Sequence, residues 1–125
     1  MSYVLVFIGG GIGAALRHGV NRAAIALLGP ALPWGTLFVN IVGSLLMGAL
    51  VEMFLARGGG SPELRLFLAT GVLGGFTTFS AFSLDAALMW QRGDHLTLAL
   101  YVIGSVALSV GALFLGISVA RALIS

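Results

Sequence analysis

Apolar residues fill this chain in four long stretches, separated by short clusters of Gly, Pro, Arg and Asp. The stretches cover about residues 3–28, 33–56, 64–90 and 95–120, and each is long enough for the roughly 20 residues that a helix needs to cross a bilayer. Gly29-Pro30 ends the first, and Pro33-Trp34 opens the second with a helix-start proline beside an interfacial aromatic. Arg57-Gly58-Gly59-Gly60-Ser61-Pro62-Glu63 forms the main loop, and Gln91-Arg92-Gly93-Asp94 forms the last turn. Within the second and fourth stretches the polar residues recur every fourth position: Thr36, Asn40 and Ser44, then Tyr101, Ser105 and Ser109. Four residues advance a helix by nearly a full turn, so each set forms one polar stripe on an otherwise apolar surface.

The third stretch departs from this pattern. Between Gly71 and Ser83 it carries Gly74-Gly75-Phe76-Thr77-Thr78-Phe79-Ser80, which places paired glycines and hydroxyl residues in mid-membrane. These types weaken a helix through backbone entropy and through side chains that compete for backbone hydrogen bonds. An interrupted transmembrane helix is expected, and lipid cannot satisfy the backbone groups it frees, so protein, water or an ion must. The bland alternative is that the small residues only permit close helix packing, which is also the expected use of Gly9, Gly10, Gly11, Gly13, Gly43 and Gly48.

Composition narrows the class. With 59% hydrophobic residues, 8% charged residues and a mean hydropathy of +1.12, the chain cannot cover a soluble globule and is an all-α integral membrane protein. Four spans use nearly all 125 residues, leaving no room for a catalytic domain outside the membrane. The pI near 10.0 reflects six Arg against four acids, with no basic run to track nucleic-acid phosphates. The absence of Cys removes disulfides and thiolate chemistry, and His18 and His95 lack partners at metal-ligand spacing. The segment Met1-Ser2-Tyr3-Val4 lacks the positive charge of a cleavable signal, so the first span is expected to remain.

Depth and charge add two inferences. At about 1.5 Å per residue, Asn40, Phe82, Tyr101 and Ser105 all lie roughly 9–15 Å from the same membrane face, which makes a polar pathway through the helices the expected result. Arg57, Arg65 and Arg121 fall on one side and Arg17, Arg22 and Arg92 on the other, so the positive-inside rule selects no orientation. Both orientations and an antiparallel dimer are expected, since one four-helix copy has little interior for so many polar groups. Asn40 serves either as interhelical glue or as an amide donor to an anion, and the stripe hydroxyls either bond their own helix or line the path. Phe79 and Phe82 either pack or turn positive ring edges to an anion. Arg17 snorkels, pairs with Asp85 or draws anions inward, while Glu52 and Asp85 suit interfacial pairing.

Three segments together resemble a known family. Gly9-Gly10-Gly11-Ile12-Gly13-Ala14 leading to Arg17, Gly35-Thr36-Leu37-Phe38-Val39-Asn40 followed by Gly43, and Gly74-Gly75-Phe76-Thr77-Thr78-Phe79-Ser80-Ala81-Phe82-Ser83 are similar to the motifs of the Fluc fluoride channels, also called CrcB. The resemblance spans all four helices. It implies a dual-topology antiparallel homodimer with two fluoride pathways, passively exporting fluoride across the bacterial plasma (inner) membrane. It also implies ion contacts from Asn40, Phe79 and Phe82, and a polar track of Thr36, Tyr101, Ser105 and Ser109, with Arg17 near the path. By the same resemblance, backbone carbonyls of Gly74 and Thr77 from both subunits would hold a structural sodium ion on the dimer axis. Ala81 departs from the Thr often found at its position, and His18 from an aromatic. The alternatives are a small multidrug-type proton-coupled exporter, which relies on a glutamate where this first helix has Arg17, and a non-transporting assembly subunit. No enzymatic chemistry is expected.

Overall fold

The computed structural model describes residues 1–56 and 60–124, so the loop residues Arg57, Gly58 and Gly59, and with them one of the arginines weighed for topology, lie outside the described residues. Among the described residues, four segments are long and apolar enough to cross a membrane. The first is α1 (Ser2–Leu28) and the second is α2 (Trp34–Ala56). The third covers Pro62–Arg92 in pieces: α3 (Pro62–Arg65), a π-helical segment (Leu66–Leu73), α4 (Gly74–Phe76) and α5 (Phe79–Arg92). The fourth is α6 (His95–Ile124).

Local chemistry sets the helix ends. Ser61 caps α3 by accepting from the Leu64 N–H at 3.0 Å, with Pro62 in the first turn, where a missing N–H costs nothing. Gly93 closes α5 in the left-handed conformation, φ 79°, which lets the N–H groups of Gly93 and Asp94 reach the carbonyls of Trp90 and Met89. The α6 helix then begins at once.

Packing divides the molecule into two close pairs. The α2 helix lies along α6, and α1 lies along the π-helical segment and α4. Glycine makes both approaches possible. A Cβ on Gly9 would stand 2.8 Å from the Phe67 carbonyl and 3.0 Å from the Gly71 Cα, and one on Gly13 would overlap the Val72 carbonyl. Between α2 and α6, a Cβ on Gly48 would overlap the Leu113 carbonyl and one on Gly116 would overlap that of Leu45. Main chain thus meets main chain, the arrangement that lets dispersion hold helices together where lipid removes the hydrophobic driving force. Glu52 and Arg121 tie the far ends of α2 and α6 with contacts of 3.2 and 3.3 Å, matching the interfacial pairing expected of Glu52. Because Arg121 is largely exposed, Glu52→Gln should leave ion flux unchanged and shift thermal unfolding by only about 1–3 °C, read by melting in detergent.

The outer surface is apolar. Phe7, Leu27, Leu96, Ile103, Phe114 and Leu123 are all exposed, as expected of residues that face lipid or another subunit rather than water.

Candidate ion pathway

The interruption of the third span occupies two residues. Thr77 and Thr78 adopt extended backbone, with φ/ψ of −82°/159° and −152°/122°, between α4 and α5. The glycines on which the sequence argument partly rested are not the break: Gly74 and Gly75 are helical. Gly75 instead serves close packing, since a Cβ there would overlap the Gly10 carbonyl of α1. The expected break is present, and the reading that this stretch only packs does not hold, although its glycines do pack. The threonines interrupt the helix and the glycines pack it.

Thr78 restarts the helix. Its hydroxyl accepts from the Ala81 N–H at 3.1 Å, an N-cap for α5. Its own backbone is taken up by α2: the Asn40 Nδ2 donates to the Thr78 carbonyl at 3.0 Å, and the Thr78 N–H donates to Asn40 Oδ1 at 2.8 Å. One carboxamide thereby replaces a stretch of missing helix, and the interhelical role weighed for Asn40 is realised. Gly43, one turn further along α2, leaves room for the Thr77 methyl, which a Cβ at that glycine would overlap.

The diverted donors leave two carbonyls behind. In an unbroken helix the Thr78 N–H would bond the Gly74 carbonyl and the Ala81 N–H would bond that of Thr77. Here the first goes to Asn40 and the second to the Thr78 hydroxyl. The residues whose carbonyls the resemblance assigns to a cation are thus those that lose their helical donors, and Gly74 is exposed. Neutral, hard carbonyl oxygens suit an alkali cation.

Among the described residues lie two cavities of about 340 Å³: Phe82 lines the first, and Asp85, which Tyr101 bonds, lines the second. Asn40, Ser44, Thr77, Thr78, Phe79, Phe82, Ser105 and Ser109 line the first, together with apolar residues of α2 and α6. Asn21, Thr36, Ala81, Asp85 and Arg92 line the second. Phe79 and Phe82 lie 5.5 Å apart at 49°, and Phe82 and Tyr101 lie 5.2 Å apart at 42°, so the three rings form a tilted row. Ser105 is 6% exposed, and its Oγ is buried with no hydrogen-bond partner. Its hydroxyl does not bond back to its own helix, in contrast to Thr77 and Ser83, which donate to Leu73 and Phe79.

Of the residues singled out from the sequence, Asn40, Phe79, Phe82, Ser105, Ser109 and Thr77 meet in the first cavity. Thr36 opens on the second. Tyr101 is buried against Phe82 and donates its hydroxyl to Asp85 at 3.0 Å. Arg17 lines neither cavity: its Nε donates to the Gly75 carbonyl at 3.1 Å, fastening α1 to α4. The pairing weighed between Arg17 and Asp85 does not form, because Asp85 is held by Tyr101 and Arg17 reaches a nearer backbone acceptor. Sequence reasoning left out three participants. Thr78 was visible as a helix-start residue three positions before Ala81, whereas Asp85 as the partner of Tyr101 and Asn21 against Gly35 depend on helix packing and carry no local signal.

Four membrane-capable segments among the described residues, one of them interrupted and held by a neighbour's amide beside a cavity that carries hydroxyl and amide groups, fit a small multi-pass membrane protein. Residues 4–117 match the family described as CrcB-like protein, Camphor Resistance (CrcB), and the chain belongs to that family. It is 54% identical over 123 residues to the fluoride-specific ion channel FluC of Rhodopseudomonas palustris (strain BisB5), covering 98% of this chain and 99% of that one. It is 58% identical over 118 residues to FluC of Novosphingobium aromaticivorans, covering 93% of each chain. FluC of Mesorhizobium japonicum is 56% identical over 120 residues, covering 96% of each.

Proposed function

We infer that this chain is a fluoride channel and not an enzyme, carrying fluoride passively through the first cavity. The supporting observation is the Ser105 hydroxyl, buried without a partner beside Asn40 and Ser109 in a cavity walled by Phe79 and Phe82. Fluoride is small and strongly hydrated, so its path must replace water with several donors while holding the ion weakly enough to release it. Ser105 and Ser109 supply hydroxyls. Asn40 spends one amide N–H on Thr78 and keeps the other. The ring edges of Phe79 and Phe82 add weak positive potential without a trapping charge. Thr36 lines the second cavity, and Tyr101 touches both Phe82 of the first and Asp85 of the second; with its proton donated to Asp85, Tyr101 presents mainly its ring. Arg17 acts on the path through the Gly75 carbonyl.

The working form is an antiparallel homodimer of copies inserted both ways in the bacterial inner membrane, with lipid around it. Near-equal arginine counts on the two faces support this. So does the position of Phe79, which is 78% exposed on one copy although it borders the cavity. A sodium ion held by Gly74 and Thr77 carbonyls would supply fixed positive charge and cross-link the two breaks. Coupled export is disfavoured by Arg17, which stands where a proton-coupled exporter places an acid.

The test is fluoride efflux from liposomes containing only this protein, with chloride measured in parallel and a potassium ionophore clamping the voltage. Rapid fluoride loss with retained chloride is the expected result. Retained fluoride from correctly folded protein would overturn the reading, and a monomeric mass in mild detergent would overturn the dimer.

A further inference from the structure

The first cavity extends along α2 and α6 to Met47 and Leu113. Gly48 on Leu113 and Gly116 on Leu45 bring α2 and α6 into main-chain contact, so an ion cannot continue between these two helices. Ser44 lies one turn before that seal and one turn after Asn40, and it lines the cavity with Ser105 and Ser109 of α6. Asn40 has already committed its carbonyl oxygen and one N–H to Thr78. On the α2 wall, Ser44 is therefore the uncommitted hydroxyl, and without it an ion opposite the α6 donors would meet a single α2 donor, the remaining N–H of Asn40.

We propose that Ser44 is a further anion-contacting residue, the hydroxyl at which the ion leaves the space between α2 and α6 and turns toward the open face beside Phe79. This rests on the fluoride-channel reading and adds a residue to its path. It gives α2 a second donor on the path, one turn beyond Asn40.

The chain contains no cysteine, so Ser44→Cys creates a single thiol. Purified Ser44→Cys, Ser105→Cys and the parent protein are placed in liposomes and treated with a small charged methanethiosulfonate, and labelling is read by mass. Before labelling, Ser44→Cys should pass fluoride up to about fivefold more slowly than the parent, the scale of one lost hydrogen bond. Labelling should then reduce its flux at least about tenfold, while the cysteine-free parent is unaffected. Ser44→Thr, which keeps the hydroxyl, should run near the parent rate.

The proposal is overturned if labelled Ser44→Cys conducts like its unlabelled form while labelled Ser105→Cys is blocked, or if only Ser105→Cys reacts. If Ser44→Cys elutes as aggregate, Ser44→Ala answers the same question: a rate about fivefold below the parent supports the proposal, and the parent rate overturns it. Failure of the channel reading itself appears separately, as absence of fluoride flux in the untreated parent.

Discussion

Asn40→Asp protein is expected to lose fluoride efflux by on the order of a hundredfold or more. The substitution keeps an oxygen for the Thr78 N–H but removes the amide donor from the Thr78 carbonyl, setting a carboxylate oxygen against a carbonyl oxygen. That exchanges a bond of about 1 kcal/mol for a repulsion in a low-dielectric setting, and it places negative charge beside the anion path. Two losses of about 1.4 kcal/mol would already give a hundredfold effect. Liposome efflux measures it directly. Efflux within threefold of the parent would remove Asn40 both from the path and from the support of the break.

Gly13→Val should cost more still, at the level of folding. A Cβ at this position overlaps the Val72 carbonyl and lies 2.7 Å from the Phe76 N and 3.0 Å from the Gly75 carbon. All three obstacles are backbone, so no side-chain rotation relieves them and α1 must separate from the third span. Overpacking typically costs about 1–3 kcal/mol, and more where main chain must move. Separation would also pull Arg17 off the Gly75 carbonyl. The expected result is little or no monodisperse protein by size-exclusion chromatography. The same change at Gly11, where nothing lies within 4 Å, should be tolerated unless that face meets a second subunit. Normal yield of Gly13→Val would mean that the α1 contact is looser than described.

The contrast between these glycines shows where sequence reasoning reaches and where it stops. Four spans were legible because crossing a bilayer demands about 20 apolar residues, and Pro and Gly mark their limits. A break in the third span was legible as a region between Gly71 and Ser83. Its confinement to Thr77 and Thr78 was not, because glycine is used both to interrupt helices and to pack them, and only the neighbouring helix decides which. Nor does any residue pattern announce the π-helical segment Leu66–Leu73, which packs along α1. The stripe containing Asn40 was readable from its fourfold spacing, yet its bonds to Thr78 join residues 38 positions apart and exist only once α2 and α5 are side by side. Arg17 illustrates the limit for charge: the sequence offers Asp85 as an ionic partner, whereas the fold supplies a backbone carbonyl first.

The amide brace on Thr78 also bears on how the protein is made. At 14 residues, α5 is too short to span a bilayer alone, and its first residues carry peptide groups that lipid cannot satisfy. A chain emerging from its N-terminus places α2, and with it Asn40, in the membrane before the threonines appear. The neighbour that completes the interrupted span is thus already waiting when that span arrives. Reversing the order of the two hairpins by circular permutation would oblige the ribosome to deliver the fracture ahead of its splint.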